Sequence, residues 1–290
     1  MAGKKHLLFV VNPISGGKSK ARVPALINTY LNHAIYSYEV YAWEIIDDLP
    51  KTIESFTKKD GYAIVALGGD GTINAVASCL INSSVRLAIV PQGSGNGFAR
   101  EFKISRKIKT ALRQLNTAKE HIVDVGKLNG KVFVNVAGWG FDAKVSHSFA
   151  HLDKRGLKSY ARSIMKDFGG SINLHFKVTT EQGSFESDAF LLSIANGRQW
   201  GNNFYVAPKA SFSDGILDLV FLQKPTVFQA PYLALCLFFK WDNGLITRRQ
   251  MKNASIRLNE MIYTHIDGEP LEKFAEVKVE VVPAALKVLS

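Results

Sequence analysis

The sequence predicts a parallel α/β domain followed by an antiparallel β sandwich or barrel. As far as Leu115, strand-like and helix-like segments alternate, the order that covers a parallel sheet with helices. From about Ile122 onward, short strands follow one another, with turn dipeptides such as Asn129-Gly130, Gln182-Gly183 and Asp267-Gly268 between many of them. Three apolar runs of the first part end in glycine-rich loops, and ligands of parallel sheets bind at the carboxyl ends of strands. A length of 290 residues leads us to expect two domains. We place them at 1–124 and 125–283, with 284–290 returning to the first.

In chain order, His6 to Val11 reads as a strand, Ala21 to Leu31 as a helix and Ile35 to Trp43 as an alternating strand. A polar helix near Asp48 to Lys58 leads to the apolar strand Tyr62 to Leu67, and Ile73 to Leu80 is helix-like. Arg86 to Pro91 is a further buried run, and Arg106 to Leu115 a further helix. In the second part, Val123 to Leu128, Lys131 to Ala137, Ile172 to Thr180, Ser184 to Asn196, Ile216 to Leu222, Ser255 to Leu258, Met261 to Ile266 and Val277 to Val282 read as strands. Helical insertions are expected near 142–168 and 225–240.

Nearly half of the residues are apolar, enough for sizeable cores. Two cysteines, Cys79 and Cys236, are too few and too separated for a disulfide framework, which fits a reducing cytosol. The start runs into a strand without a long apolar h-region, so no signal peptide is expected. The longest apolar stretch, Val227 to Phe239, falls short of the roughly 20 residues of a membrane span. A net charge of +11 points to an anionic partner: nucleic acid, nucleotide or acidic lipid. No helix-turn-helix, zinc or RNP pattern supports nucleic acid.

Gly68-Gly69-Asp70-Gly71-Thr72 stands between a strand and a helix, where backbone N–H groups lie bare at a positive helix end. An acid there repels phosphate unless a cation such as Mg²⁺ sits between the two, so the loop reads as a nucleotide phosphate site; the alternative is an ordinary tight turn. The first strand ends in Asn12-Pro13-Ile-Ser15-Gly16-Gly17-Lys18-Ser19. Asn12 occupies the place of the first Walker A glycine, which excludes a wrapped P-loop and leaves Ser15, Gly16, Gly17 and Lys18 as a simpler phosphate contact or a plain turn. The third loop, Gly93-Ser94-Gly95-Asn96-Gly97, offers permissive backbone, polar side chains and Arg100 as a phosphate partner. Three loops at strand ends of one sheet converge on one crevice.

Asn12-Pro13 with Ser15-Gly16-Gly17, then GGDGT, then GSGN with Ala99-Arg100, resembles the diacylglycerol kinase catalytic-domain family, which includes bacterial soluble lipid kinases and sphingosine kinases. Asp124-Val-Gly126, Asn135, Ser213-Asp214-Gly215 and Asp267-Gly-Glu-Pro270 extend the resemblance over nearly the whole chain. It implies an NAD-kinase-like parallel α/β domain, then an antiparallel β-sandwich domain. It also implies ATP and Mg²⁺ as cofactors and transfer of the γ-phosphoryl group to diacylglycerol or a related lipid. On the matching positions, Asp70 is catalytic and Glu269 is the proton acceptor, although Asp267-Gly268 alone reads as a hairpin turn. Asp214, with the main-chain carbonyls of Ser211 and Ile216, would hold a structural Mg²⁺, and Asp124 would add charge through water; Asp before Gly is otherwise a common turn residue.

Two departures stand out. Gly97 replaces an acid common in bacterial members, and Trp43 stands where many have a nucleotide-contacting threonine, so that it stacks on adenine or fills core, core being favoured. Sphingoid-base or ceramide kinase and a non-catalytic lipid-binding protein are the rival readings. A cytoplasmic protein with transient contact at an anionic inner membrane face is expected, its oligomeric state open and a homodimer included. Leu157, Tyr160, Ala161, Ile164, Met165 and Phe168 form one helical stripe beside Lys154, Arg155, Lys158, Arg162 and Lys166, a basic amphipathic helix for a membrane or a core-facing one. Tyr232 to Trp241, near Arg248, Arg249 and Lys252, is a second candidate lipid mouth. His147 and His151 share a helix face but lack a third metal ligand.

Overall fold

The computed structural model describes residues 3–13, 20–43, 48–93, 95–141, 143–144, 174–226 and 228–290. The chain forms two compact units, one of Met1–Val123 with Ala284–Ser290, the other of Asp124–Pro283.

In the first unit, β1 (Lys5–Val11), β2 (Tyr36–Ala42), β3 (Ala63–Gly68) and β4 (Arg86–Pro91) run parallel in the order β2-β1-β3-β4. β3 is buried along its whole length, and Leu7 to Val11 of β1 are buried as well, which is why both read as unbroken apolar runs. Helices α1 (Val23–Tyr30), α2 (Leu49–Lys58), α3 (Asp70–Cys79), α4 (Gly97–Glu101) and α5 (Ile108–Leu115) connect them. Each longer helix buries one stripe. Leu49, Ile53 and Phe56 form that of α2, which carries a Glu54–Lys58 pair on its outer side. Prolines in the first turns of α1 and α2 pre-set the helical φ where no N–H is missed. Trp43 follows β2 only half-buried, so it does not fill core as expected.

The second unit is antiparallel. β13 (Leu217–Leu222) pairs with β14 (Ile246–Met251) and β10 (Leu191–Ala195), β10 with β7 (Val136–Gly140), and β7 with β15 (Asn253–Ile266). β15 turns back into β16 (Glu269–Leu289). β5 (Glu120–Leu128) and β6 (Lys131–Phe133) form one hairpin, and β8 (Leu174–Thr180) and β9 (Gly183–Ala189) another that joins β15. A short ribbon of β11 (Gln199–Gly201) and β12 (Phe204–Tyr205) stands apart, and α6 (Gln229–Phe239) follows β13. Phe133, Trp139, Phe176, Leu192, Phe221 and Ile256 are among the large side chains of its core.

Several boundaries differ from those read in the sequence. The expected strand Lys131–Ala137 is two, because Val134 and Asn135 leave the ladder; Ser184–Asn196 is likewise broken at Phe190. Ser255–Leu258 and Met261–Ile266 are one strand, in which Asn259 and Glu260 sit in a register shift between Arg257 and Ile262 rather than in a turn. β16 extends from Glu269 through Pro283, and its Val288–Leu289 pair parallel with Leu87–Ala88 of β4. The helix expected at 225–240 is α6; of the insertion near 142–168 only 143–144 are described, and its basic stripe, His147 and His151 lie outside the described residues. Among the described residues, no helix is long and apolar enough to cross a membrane.

Candidate functional site

Three strand ends of the first unit bring their loops into contact. Asn12, just after β1, donates its backbone N–H to Leu67 O at 3.1 Å, and its side-chain amide donates to Thr72 Oγ1 at 3.1 Å. After β4, the N–H of Gln92 donates to Gly68 O at 2.7 Å. The loops then approach so closely that glycine is required. A Cβ on Gly93 would lie 2.7 Å from Gly69 Cα, and one on Gly69 3.3 Å from Gly93 Cα. A Cβ on Gly68 would collide with the Thr72 hydroxyl. Of the residues read as phosphate contacts, Asn12, Gly68, Gly69, Asp70, Thr72, Gly93 and Asn96 are thus drawn together. Pro13, Gly71 and Gly95 lie in the same loops, and Ser15, Gly16, Gly17, Lys18 and Ser94 fall outside the described residues.

Asp70 opens α3, and its Oδ2 accepts the N–H of Asn96 at 2.8 Å. Asn96 is fully buried and left-handed, with φ of 50°. Its side chain closes the third loop on itself, Oδ1 accepting from Gly93 N–H at 3.0 Å and Nδ2 donating to Gly93 O at 2.7 Å. Arg106 Nη2 donates to Gly93 O at 3.2 Å, and Arg100 Nε to Gly95 O at 3.0 Å. The sequence suggested that Asn96 and Arg100 face a phosphate. In the structure the Asn96 side chain closes the loop on Gly93, and the first turn of α3 leaves main-chain amides without partners inside the helix. Nothing local in the sequence marks Asn96 as buried.

The second unit carries the other acids. Asp267 and Gly268, at φ of 50° and 84°, form the two-residue turn between β15 and β16 that Asp-Gly suggests. The turn residue is not merely a turn residue. Its carboxylate is buried and accepts three backbone N–H bonds, from Val134 at 2.9 Å on Oδ2, and from Asn135 at 2.8 Å and Val136 at 3.0 Å on Oδ1. Its own N–H donates to Val136 O at 2.8 Å, and Gly268 N–H to His265 Nδ1 at 3.2 Å. Glu269, the next residue, pairs with Ile266 and leaves its side chain exposed on this tied hairpin. The sequence reads Asp267 as a turn residue only, because the backbone its carboxylate holds lies about 130 residues away.

Behind the turn, Asn135 and Asn196 lock the same corner. Asn196 Nδ2 donates to Asp124 O at 2.9 Å and to Val134 O at 2.8 Å, and Asn135 Nδ2 donates to Gln199 O at 2.9 Å. Asp124 is buried, and its Oδ2 accepts Gly215 N–H directly at 2.6 Å. Its N–H donates to Phe212 O at 2.6 Å. Asp214 Oδ1 accepts Ile216 N–H at 3.1 Å, so Ser211, Asp214 and Ile216 share one turn pinned by Asp124. Asp218, at the start of β13, has its carboxyl pushed up to about 6, first by burial and then by the charge of Asp214, with Arg248 opposing.

Among the described residues, no three His, Cys, Asp or Glu side chains assemble as a metal cage. The donor chemistry of the 211–216 turn is of another kind, carboxylate and main-chain oxygen, and the repulsion between Asp214 and Asp218 is what a hard cation relieves.

Residues 6–128 match the diacylglycerol kinase catalytic domain, and residues 135–290 match the YegS C-terminal NAD kinase beta sandwich-like domain. A probable lipid kinase YegS-like of Pseudomonas aeruginosa is 32% identical over 233 residues, covering 79% of this chain and 76% of that protein. A protein of the same description from Klebsiella pneumoniae is 26% identical over 281 residues, 93% of this chain and 92% of its own. A solved structure described as a diacylglycerol kinase from Bacillus anthracis superposes with a TM-score of 0.73 at 22% identity, covering 98% of this chain and 96% of that one. A second structure from the same organism reaches 0.79 at 23% identity with the same coverage. At such identities the likeness speaks for the fold alone.

Proposed function

The chain belongs to the YegS-like lipid kinases of the diacylglycerol kinase catalytic-domain family, and from that premise we propose that it transfers the γ-phosphoryl group of ATP to a hydroxyl of diacylglycerol or a related lipid. The observation that carries the reading is the junction of Asn12, Gly69, Asp70, Gly93 and Asn96 at the carboxyl edge of a parallel sheet. Loops this close, closed by side chains that point inward, present backbone amides to an anion and leave no room for side chains between.

Phosphoryl transfer asks little covalent work of the protein, so catalysis rests on position and charge. In this reading the loops at 12–18, 68–72 and 93–96 bind the triphosphate, with Asp70 holding the third loop in register through Asn96. Glu269 orients the acceptor hydroxyl and takes its proton as attack proceeds; its backbone is fixed because Asp267 ties the turn to Val134, Asn135 and Val136. Asp214 and the carbonyls of Ser211 and Ile216, pinned by Asp124, would hold Mg²⁺, which when bound supplies positive charge.

A radiolabelled-ATP assay against lipids in mixed micelles tests the proposal. Diacylglycerol is expected to be labelled; label on sphingoid bases or ceramide instead would move the acceptor class. No label on any lipid, with no ATP binding by calorimetry, would leave a non-catalytic lipid-binding protein.

A further inference from the structure

Helix α6 is the most apolar helix described and one of the least buried. Of its eleven residues only Leu233 and Cys236 are buried, and Leu233 packs with Phe190, Leu191 and Leu222. Around that single seam the surface is large and apolar: Phe228 is 94% exposed, Tyr232, Phe239 and Trp241 each 52%, and Leu235 49%. A helix hydrophobic on all sides ordinarily lies inside a protein, and an apolar patch of this kind marks an interaction surface.

We infer that the outward face of α6 seats in a lipid bilayer, with Phe228, Tyr232, Leu235, Phe239 and Trp241 entering the headgroup–acyl boundary of an anionic membrane. The inference rests on the reading of the chain as a lipid kinase and adds the surface by which it meets its substrate. Eleven residues rise about 16 Å, half the hydrocarbon thickness, so the helix lies in the interface rather than across it.

The side chains fit that level of the membrane. Phe239 stacks on Trp241 with centroids 5.0 Å apart, and Phe238 meets Phe204 edge-on, so the rings are fixed before any contact is made. Between Phe228 and Trp241 there is no acid, and the one charge, Lys240, stands over the Tyr205 ring at 4.2 Å, with Lys224 exposed just upstream. Asp242, the first acid after the helix, is paired with Arg248 at 2.8 Å. Two lysines, Lys224 and Lys240, flanking an apolar face without acids complement anionic headgroups. A second copy of this chain is the other occupant such a face admits. In a two-fold contact through this face it would bring the lysines of one copy, Lys224 and Lys240, toward those of the other, with no acid between Phe228 and Trp241 to meet them.

Co-sedimentation with vesicles of equal parts phosphatidylcholine and phosphatidylglycerol tests the surface, using Phe228→Ser and the double variant Leu235→Ser/Phe239→Ser. Vesicle binding is expected to weaken by about tenfold per residue replaced. Phosphorylation by the Phe228→Ser variant of a short-chain diacylglycerol dissolved as monomers is expected to stay at the wild-type rate. Wild-type partitioning by the double variant would overturn the inference. So would conversion of a dimer to a monomer in sedimentation velocity without loss of vesicle binding, which assigns the face to a second copy. Phe228 lies outside the helix and is nearly bare, so Phe228→Ser decides the matter if the double variant does not fold. Should the wild type bind vesicles through these residues yet phosphorylate no lipid, the kinase reading fails and the membrane surface stands.

Discussion

Asp267 offers a graded test, because its two oxygens carry unequal loads. Oδ1 accepts the amides of Asn135 and Val136, and Oδ2 accepts that of Val134. Replacing Asp267 with alanine removes all three acceptors from buried donors, each worth about 1–3 kcal/mol when orphaned. Water entering the gap lowers the total, and we expect a loss of about 4 kcal/mol, at the upper end for single substitutions. Asn with its carbonyl toward Asn135 and Val136 keeps two bonds and sets its amide against the Val134 N–H. That costs about 2 kcal/mol, one lost charged bond and one orphaned donor. Urea unfolding followed by tryptophan fluorescence reads both variants, since Trp139 is fully buried in the same unit. The order must be wild type, then Asn, then Ala. An alanine variant within about 0.5 kcal/mol of wild type, or an asparagine variant below alanine, would refute the claim that this carboxylate holds residues 134–136.

Three further outcomes are expected. Gly93→Ala places a methyl 2.7 Å from Gly69 Cα and should weaken ATP binding at least about tenfold while the protein stays folded; an unchanged calorimetric Kd would show that the loops need not meet so closely. Glu269→Gln should abolish lipid phosphorylation and leave ATP binding intact, and near-normal turnover would remove its role as proton acceptor. Asp218, raised to about 6 by burial, is easier to protonate folded than unfolded. Its contribution is therefore complete below about pH 4 and disappears as pH rises through about 6. In chelator-treated protein, Asp218→Asn should gain about 1–2 kcal/mol over wild type between pH 4 and pH 7, less than the full shift implies because solvent screens part of it, and a pH-independent difference would show that the carboxyl is not desolvated.

The parallel half of the fold was legible because β1 and β3 are buried and therefore unbroken in apolar content, and because their loops announce themselves in glycine. The Asn129-Gly130 and Asp267-Gly268 turns were legible for a similar local reason, since both residues adopt positive φ in each. What escaped is long-range or exposed. β14 is an edge strand whose Thr-Arg-Arg-Gln interior carries no apolar alternation, and β16 alternates weakly and contains two prolines. The burial of Asn96 was not legible either, because it depends on the Gly93 backbone bonding to its side chain. Asp267 and Asp124 share that difficulty, as each answers to backbone far along the chain.

The length of β16 has a consequence for biogenesis. Val288 and Leu289 complete the sheet beside β4, and Ala285, Leu286, Val288 and Leu289 are all buried in the unit formed by the first 123 residues. While a ribosome is still making the intervening strands, that earlier unit has an open flank at β4 and an unfilled hydrophobic seam. It can close only when residue 289 emerges. Nascent-chain folding of the first unit should thus wait for residues 285–289 rather than precede the strands between, and polar substitutions at Leu286 or Val288 should harm the first unit, not the one those residues follow.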